Sequence, residues 1–170
     1  MWSGTIGNHF LGPYKLPPNL NEDSYLDFLK NGLRDLLDNL PLNLRQNMHF
    51  MQDGAPAHFS RQVRNYLSEI FPQRWMIGRG SDFPCPARSP DLNPLDFCVW
   101  GYLKSSVYSE TIDTRDQLLQ KIENSANLFR NESIFFKIRQ SFMKHLSKCI
   151  EINGDHFEHV LKKGYNFYFQ

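Results

Sequence analysis

Apolar side chains recur along this chain in two rhythms. From Glu22 to Leu40, "EDSYLDFLKNGLRDLLDNL" places Tyr25, Leu26, Phe28, Leu29, Leu33, Leu36 and Leu37 at spacings of three and four. That predicts an amphipathic helix with acids and Ser24 at its front and Pro41 as its stop. "SRQVRNYLSEIF" repeats the pattern with Val63, Tyr66, Leu67 and Ile70, and Ser60 is placed to cap it. "PLDFCVWGYLKSSVY" does so with Leu95, Val99 and Leu103, Asn93 as N-cap and Pro94 at the first helical position. "TRDQLLQKIENSANLFRN" and "SIFFKIRQSFMKHLSKCIEI" predict two longer helices, "DHFEHVLKK" a short last one, and Gly154 a stop between the final pair.

The second rhythm is short and dense. "MWSGTIGNHFLGPYKLP" mixes aromatic and β-branched residues around a "GN" turn, which predicts a hairpin. "NMHFMQD" is apolar and stops at a glycine turn, predicting a buried strand with Asp53 at its carboxyl end. "RWMIG" predicts another strand, and "RGSDFPCPARSPDLNP", with its prolines and no periodicity, reads as a loop. Strands alternating with helices and then giving way to helices describe an α/β layer with a helical tail. The expected organisation is a core over 1–108 and a helical extension over 109–170 packed on the same domain.

Composition fits one folded domain of 170 residues, with 41% hydrophobic and 14% aromatic residues. A net charge of +1 gives no whole-chain attraction to nucleic acid or membrane, so any polyanion site must be local. Cys85, Cys98 and Cys149 form no CxxC pair, which favours free thiols in a reducing compartment over a zinc site. No apolar run approaches the roughly 20 residues of a membrane span, so the expectation is a soluble, intracellular protein without a membrane partner.

Two carboxylates stand out. Asp53 ends a strand and Asp96 opens a helix, the place where open α/β sheets gather their chemistry. Carboxylates without Cys or His partners suit Mg²⁺ or Mn²⁺, and two such ions about 4 Å apart can activate water in phosphodiester chemistry. Turn formation by an Asp before a Gly and capping by an acid three residues after Asn93 explain the same residues without a metal. His58 reads as a metal ligand, a phosphate contact or, by preference, a local hydrogen-bonding residue, Asp91 as a turn former, and Trp75, Trp100 and Cys98 as core.

"MQDGAPAH", "RWMIGRG" and "RSPDLNPLDFCVWGYLKSSVY", in this order, resemble the catalytic domain of mariner-type transposases, and the resemblance runs through almost the whole chain. It implies an RNase H-like fold with a mixed sheet flanked by helices, and a site built from three acids that holds Mg²⁺ or Mn²⁺ for DNA strand cleavage and transfer. By position Asp53 matches the second acid and Asp96 the third, as catalytic and metal-binding residues, whereas Asp91 matches a residue that is not a ligand. The 42 residues between Asp53 and Asp96 exceed the spacing of the best-known mariners, and Cys85 stands where the family reads tryptophan.

The family's first acid lies on a strand preceding "MWSGTIG", so the expectation is a core fragment lacking its first strand, its DNA-binding region and its activity. DNA, in particular transposon ends, is the implied partner, with His58, Arg61, Arg79, Arg88 and Lys104 as candidate contacts. A homodimer or a complex with full-length transposase, and a nuclear location, follow from the same resemblance. A non-catalytic interaction module and a nonspecific nucleic-acid binder are the alternatives.

Overall fold

The computed structural model of the chain describes residues 1–77, 83–84, 92–130 and 132–154. The expected last helix "DHFEHVLKK" lies outside them, as do Arg79, Arg88, Asp91 and Cys85. The chain forms two compact units, Met1–Ile6 with Leu11–Arg88 and Gly7–Phe10 with Ser89–Gln170. The helix over Trp100–Val107 therefore groups with the helices that follow it.

The expected hairpin, β1 (Trp2–Ile6) and β2 (His9–Tyr14), comes first, with Gly7–Phe10 grouped in the second unit and the rest in the first. Its turn starts at Gly7 with φ +56°, the left-handed conformation that the first position of a type II′ turn requires. Helix α1 follows in three continuous stretches, Glu22–Asp27, Phe28–Gly32 and Leu33–Asp38. Asn21 and Ser24 form its capping box: the Asn21 side chain accepts from the Ser24 amide at 2.9 Å, and the Asn21 amide donates to Ser24 Oγ at 3.0 Å. The middle stretch is a π-turn, with the Leu33 amide bonded to the Phe28 carbonyl. Such an inserted residue shifts the phase of the apolar stripe.

Helix α2 (Leu42–Asn47) was not foreseen; its six residues are too few to display a period. Strand β3 covers Phe50–Met51, shorter than "NMHFMQD" suggests, and the Gln52 amide extends its ladder by donating to the Met76 carbonyl at 3.1 Å. A 3-10 turn at Pro56–Phe59 leads into α3 (Arg61–Ile70), where Ser60 Oγ accepts from the Val63 amide as the capping pattern predicts. Strand β4 (Trp75–Ile77) then pairs parallel to β3, and β5 (Phe83–Pro84) pairs parallel to β4. The segment read as a loop thus contains a two-residue strand. Its place at the end of the order β3–β4–β5 suits Pro84, which cannot donate to a further neighbour. Among the described residues the hairpin and the three-stranded sheet remain separate, so β1 does not pair with β3.

Tyr25, Phe28, Leu29 and Leu33 of α1 pack with Val63 and Leu67 of α3 and with Phe71 and Trp75 to form the core of this unit. Each fully buried large apolar side chain contributes about 1.5–3 kcal/mol before the cost of ordering the chain. Trp75 is core, as expected, with its indole N–H donated to Ser68 Oγ at 3.2 Å.

In the second unit α4 comprises a π-turn at Leu95–Val99 and an α-helical stretch at Trp100–Val107. Helices α5 (Arg115–Phe129) and α6 (Glu132–Glu151) follow. Phe10, Cys98, Val99, Leu103, Ala126, Phe129, Phe135 and Ile138 form its core, and Ser125 Oγ donates to Ser106 Oγ at 2.9 Å beside it. The end of α6 is a Schellman motif. Asn153 takes the left-handed conformation at φ 57°, its amide donates to the Ile150 carbonyl, and the Gly154 amide donates to the Cys149 carbonyl.

Two stability tests follow. A Cβ on Gly12, at φ +82°, would lie 2.9 Å from the Trp2 carbonyl oxygen, whereas one on Gly54 would meet nothing within 4 Å. Gly12→Ala should cost about 1–3 kcal/mol in urea unfolding, and Gly54→Ala should leave stability unchanged or raise it by up to about 1 kcal/mol. Burial pushes the Cys98 thiol up to about 11. Alkylation of Cys98 at pH 8 should therefore be slow in the folded protein and fast in urea, followed by peptide mass spectrometry.

Candidate active site

Strand β3 delivers Asp53 just past the carboxyl end of the parallel sheet, and the proline-led 3-10 turn brings His58 back toward it. The two side chains meet, His58 Nδ1 to Asp53 Oδ1, at 2.6 Å. The same Oδ1 accepts from the Ala55 amide at 3.1 Å, which closes an Asx-turn. An ionised carboxylate only accepts, so Nδ1 carries the proton in this pair.

The Asp53 side chain is 61% exposed and that of His58 only 13%. Burial of the imidazole comes from Tyr25, whose ring lies with its centroid 4.0 Å from that of His58 at an interplanar angle of 31°. The Tyr25 hydroxyl donates to Gln52 Oε1 at 2.7 Å, and Gln52 Nε2 donates to the His58 carbonyl at 3.2 Å. A closed set of contacts therefore runs from α1 through the end of β3 to the 3-10 turn and back. The hydrogen bond from His58 holds the Asp53 carboxyl below its usual range, with the Ala55 amide and the charge of His58 acting in the same direction and partial burial opposing them. Burial, with the Asp53 charge second, holds the Tyr25 phenol well above its usual range, so it remains a donor.

In the second unit Asp96 stands exposed in the first turn of α4. Asn93 caps this helix with Oδ1, which accepts from the Leu95 amide at 3.1 Å, while its Nδ2 donates to Asp96 Oδ2 at 2.8 Å. The acid thus accepts from the side chain of the cap, a variant of the capping box. Cys98 and Val99, one turn on, are buried in the core of this unit and fix the rotation of the helix.

Of the other candidates, Arg61 is exposed at the start of α3 and Lys104 is exposed on α4. Arg64, one turn into α3, holds its guanidinium 5.1 Å from the ring centroid of Phe59. Arg79 and Arg88 lie outside the described residues. Tyr25 and Gln52 are site residues that the sequence reading passed over. Gln52 adjoins Asp53 and could have been suspected, but Tyr25 lies 27 positions away from it and reads as one more apolar residue of a helix.

Among the described residues no three His, Cys, Asp or Glu side chains form a group that could hold a metal ion. The donor chemistry at Asp53 nevertheless suits a hard cation. Oδ1 is taken by two donors, and no described residue donates to Oδ2 of this exposed carboxylate.

No protein-family model matches the chain. It is 38% identical over 68 residues to the transposase of the transposable element Tc3 of Caenorhabditis elegans, a stretch covering 39% of this chain and 17% of that protein. The catalytic domain of Mos1 transposase solved with raltegravir and Mn superposes with a TM-score of 0.65 at 22% identity, covering 88% of this chain and 70% of that one. The catalytic domain of Mos1 mariner transposase gives 0.64 at 20% identity, covering 88% and 69%. The Mos1 paired-end complex with the left transposon end gives 0.64 at 22% identity, covering 88% and 40%. These likenesses establish the fold as the α/β, RNase H-like fold of mariner transposase catalytic domains.

The low titration of Asp53 can be measured directly. Following its carboxyl carbon by NMR should give a midpoint below the ordinary 3.8. Because the folded-state value is depressed, the stability this ionisation confers is present above the ordinary value and is lost as pH falls through the folded one. Asp53→Asn should accordingly flatten the acid limb of urea-unfolding stability between about pH 5 and pH 2.

Proposed function

We propose that this chain is a mariner-type transposase catalytic domain in origin, in which Asp53 and Asp96 are the metal-ligating acids of DNA strand cleavage and transfer. The observation that carries the reading is the position of Asp53. It lies two residues past the end of the parallel strand β3, in a fold that matches Mos1 catalytic domains over 88% of the chain. Solved Mos1 catalytic domains hold Mn and Mg, and a Mos1 complex holds a transposon end. By transfer from them, the metal here is Mg²⁺ or Mn²⁺ and the partner is DNA in the nucleus.

A bound divalent ion would supply Lewis-acid activation of water and charge neutralisation at the scissile phosphate. The residues of this chain do the rest. Asp53 and Asp96 offer oxygen donors, the Ala55 amide and His58 hold the Asp53 carboxylate in one orientation, and exposed Arg61 and Lys104 add positive charge for a phosphate backbone. Among the described residues no third His, Cys, Asp or Glu groups with Asp53 and His58 or with Asp96, so on this reading the polypeptide by itself holds divalent ions weakly and is catalytically silent.

Nicking of supercoiled plasmid in Mn²⁺ tests this reading. The polypeptide, Asp53→Ala and Asp96→Ala should all remain at buffer background, while millimolar Mn²⁺ broadens the backbone amide NMR signals around Asp53 and Asp96 in the unsubstituted chain alone. Nicking that both substitutions abolish would overturn the silent assignment and leave the metal-ligand roles standing. Broadening that survives both substitutions would overturn those roles.

A further inference from the structure

The contacts around Asp53 go beyond what a ligand needs merely to be present. A carboxylate at a strand end is free to rotate about its side-chain bonds, and a rotating ligand loses orientation that it must recover on binding. Here the rotation is opposed from one side only. Oδ1 is drawn inward by the Ala55 amide at 3.1 Å and by His58 Nδ1 at 2.6 Å. His58 is itself fixed on two sides, by the fully buried ring of Tyr25 at 4.0 Å and by the bond from Gln52 Nε2 to its carbonyl.

We infer that His58 is a positioning residue for Asp53: wedged between the Tyr25 ring and the carboxylate, it fixes Oδ1 inward so that Oδ2 is presented outward to a divalent cation. The inference rests on the metal-ligand reading of Asp53 and adds a role for a histidine that takes no part in ligation through the nitrogen facing the acid. Outer partners that orient a metal ligand in this way typically change affinity by about 10–100-fold when removed. If His58 merely packed, its ring would matter and its N–H would not. If it competed with the cation for the carboxylate, its removal would tighten binding.

Two substitutions separate these cases. His58→Phe keeps a ring against Tyr25 and removes the donor, whereas His58→Asn keeps an N–H near the place of Nδ1 and removes the ring. Mn²⁺ is titrated into each ¹⁵N-labelled protein and the broadening of the Gly54 and Ala55 amide signals is followed, with thermal unfolding checked in parallel. In the metal-free proteins, three-bond couplings report the Asp53 side-chain rotamer.

The expected result is a single Asp53 rotamer in the unsubstituted protein, averaging in His58→Phe with Mn²⁺ affinity about 10–100-fold weaker, and substantial recovery of both in His58→Asn. His58→Phe binding Mn²⁺ as tightly as the unsubstituted protein, or more tightly, would overturn the positioning role, as would His58→Asn behaving no better than His58→Phe. Asp53→Ala distinguishes the two levels. If it abolishes the broadening while His58→Phe leaves it unchanged, the ligand reading stands and the inference falls; if broadening persists in Asp53→Ala, the ligand reading itself falls.

Discussion

A phenol taken wholly out of water must find a hydrogen-bond acceptor, and the one that Tyr25 finds in Gln52 sets the geometry on which the rest of the first unit depends. Leaving such a hydroxyl unpaired would cost about 1–3 kcal/mol, comparable to what a buried ring gains. Tyr25 can therefore be buried only where α1 runs beside the end of β3. Because Gln52 directly precedes Asp53, the same bond that allows an aromatic core fixes the backbone from which the candidate ligand springs. Gln52 then spends its amide on the His58 carbonyl, so core, strand end and 3-10 turn hold one another in place.

The π-turn inside α1 belongs to the same constraint. Tyr25 lies before it and Leu33 after it, yet both face the core formed with α3. An uninterrupted α-helix turns 100° per residue, so a stripe spaced to suit one half drifts from the core in the other. One inserted residue resets the phase. It brings Phe28 between Trp2 and Tyr14, at 4.9 Å from each ring, which seats the hairpin on the helix. In α4 a second π-turn begins at Leu95, next to Asp96, and its Cys98 and Val99 enter the core of the other unit.

Sequence pattern made much of this visible where the signal was periodic or local. The long helices, the Ser60 cap, the Asn93 cap and the stop near Gly154 each rest on residues within a few positions of one another, and each is present. What pattern could not supply was anything decided at a distance or in a very short span. Helix α2 has six residues, and β5 has two, one of them proline, so neither shows a period; β5 is a strand because it pairs with β4. The Asp53–His58 pair is five positions apart with a proline between, and only the 3-10 turn folds the imidazole back. Arg79 and Arg88, chosen for their charge beside the proline-rich segment, lie outside the described residues.

The sequence posed a choice between structural and chemical roles for the two acids, and the structure shows why the choice was badly framed. A carboxylate has two oxygens with about four lone-pair directions between them, so accepting from a turn amide leaves capacity for a cation. Asp53 closes its turn through Oδ1 alone, and Asp96 meets its cap through Oδ2. The local bond is useful to a ligand because it removes rotational freedom before any ion arrives, and at Asp53 the His58 hydrogen bond, with the Ala55 amide in support, lowers the proton affinity and keeps the carboxylate ionised. Asparagine at position 53 could still accept from the Ala55 amide, but it would carry no charge for a cation. The turn explains why an acid is tolerated there, and only the charge separates Asp from Asn.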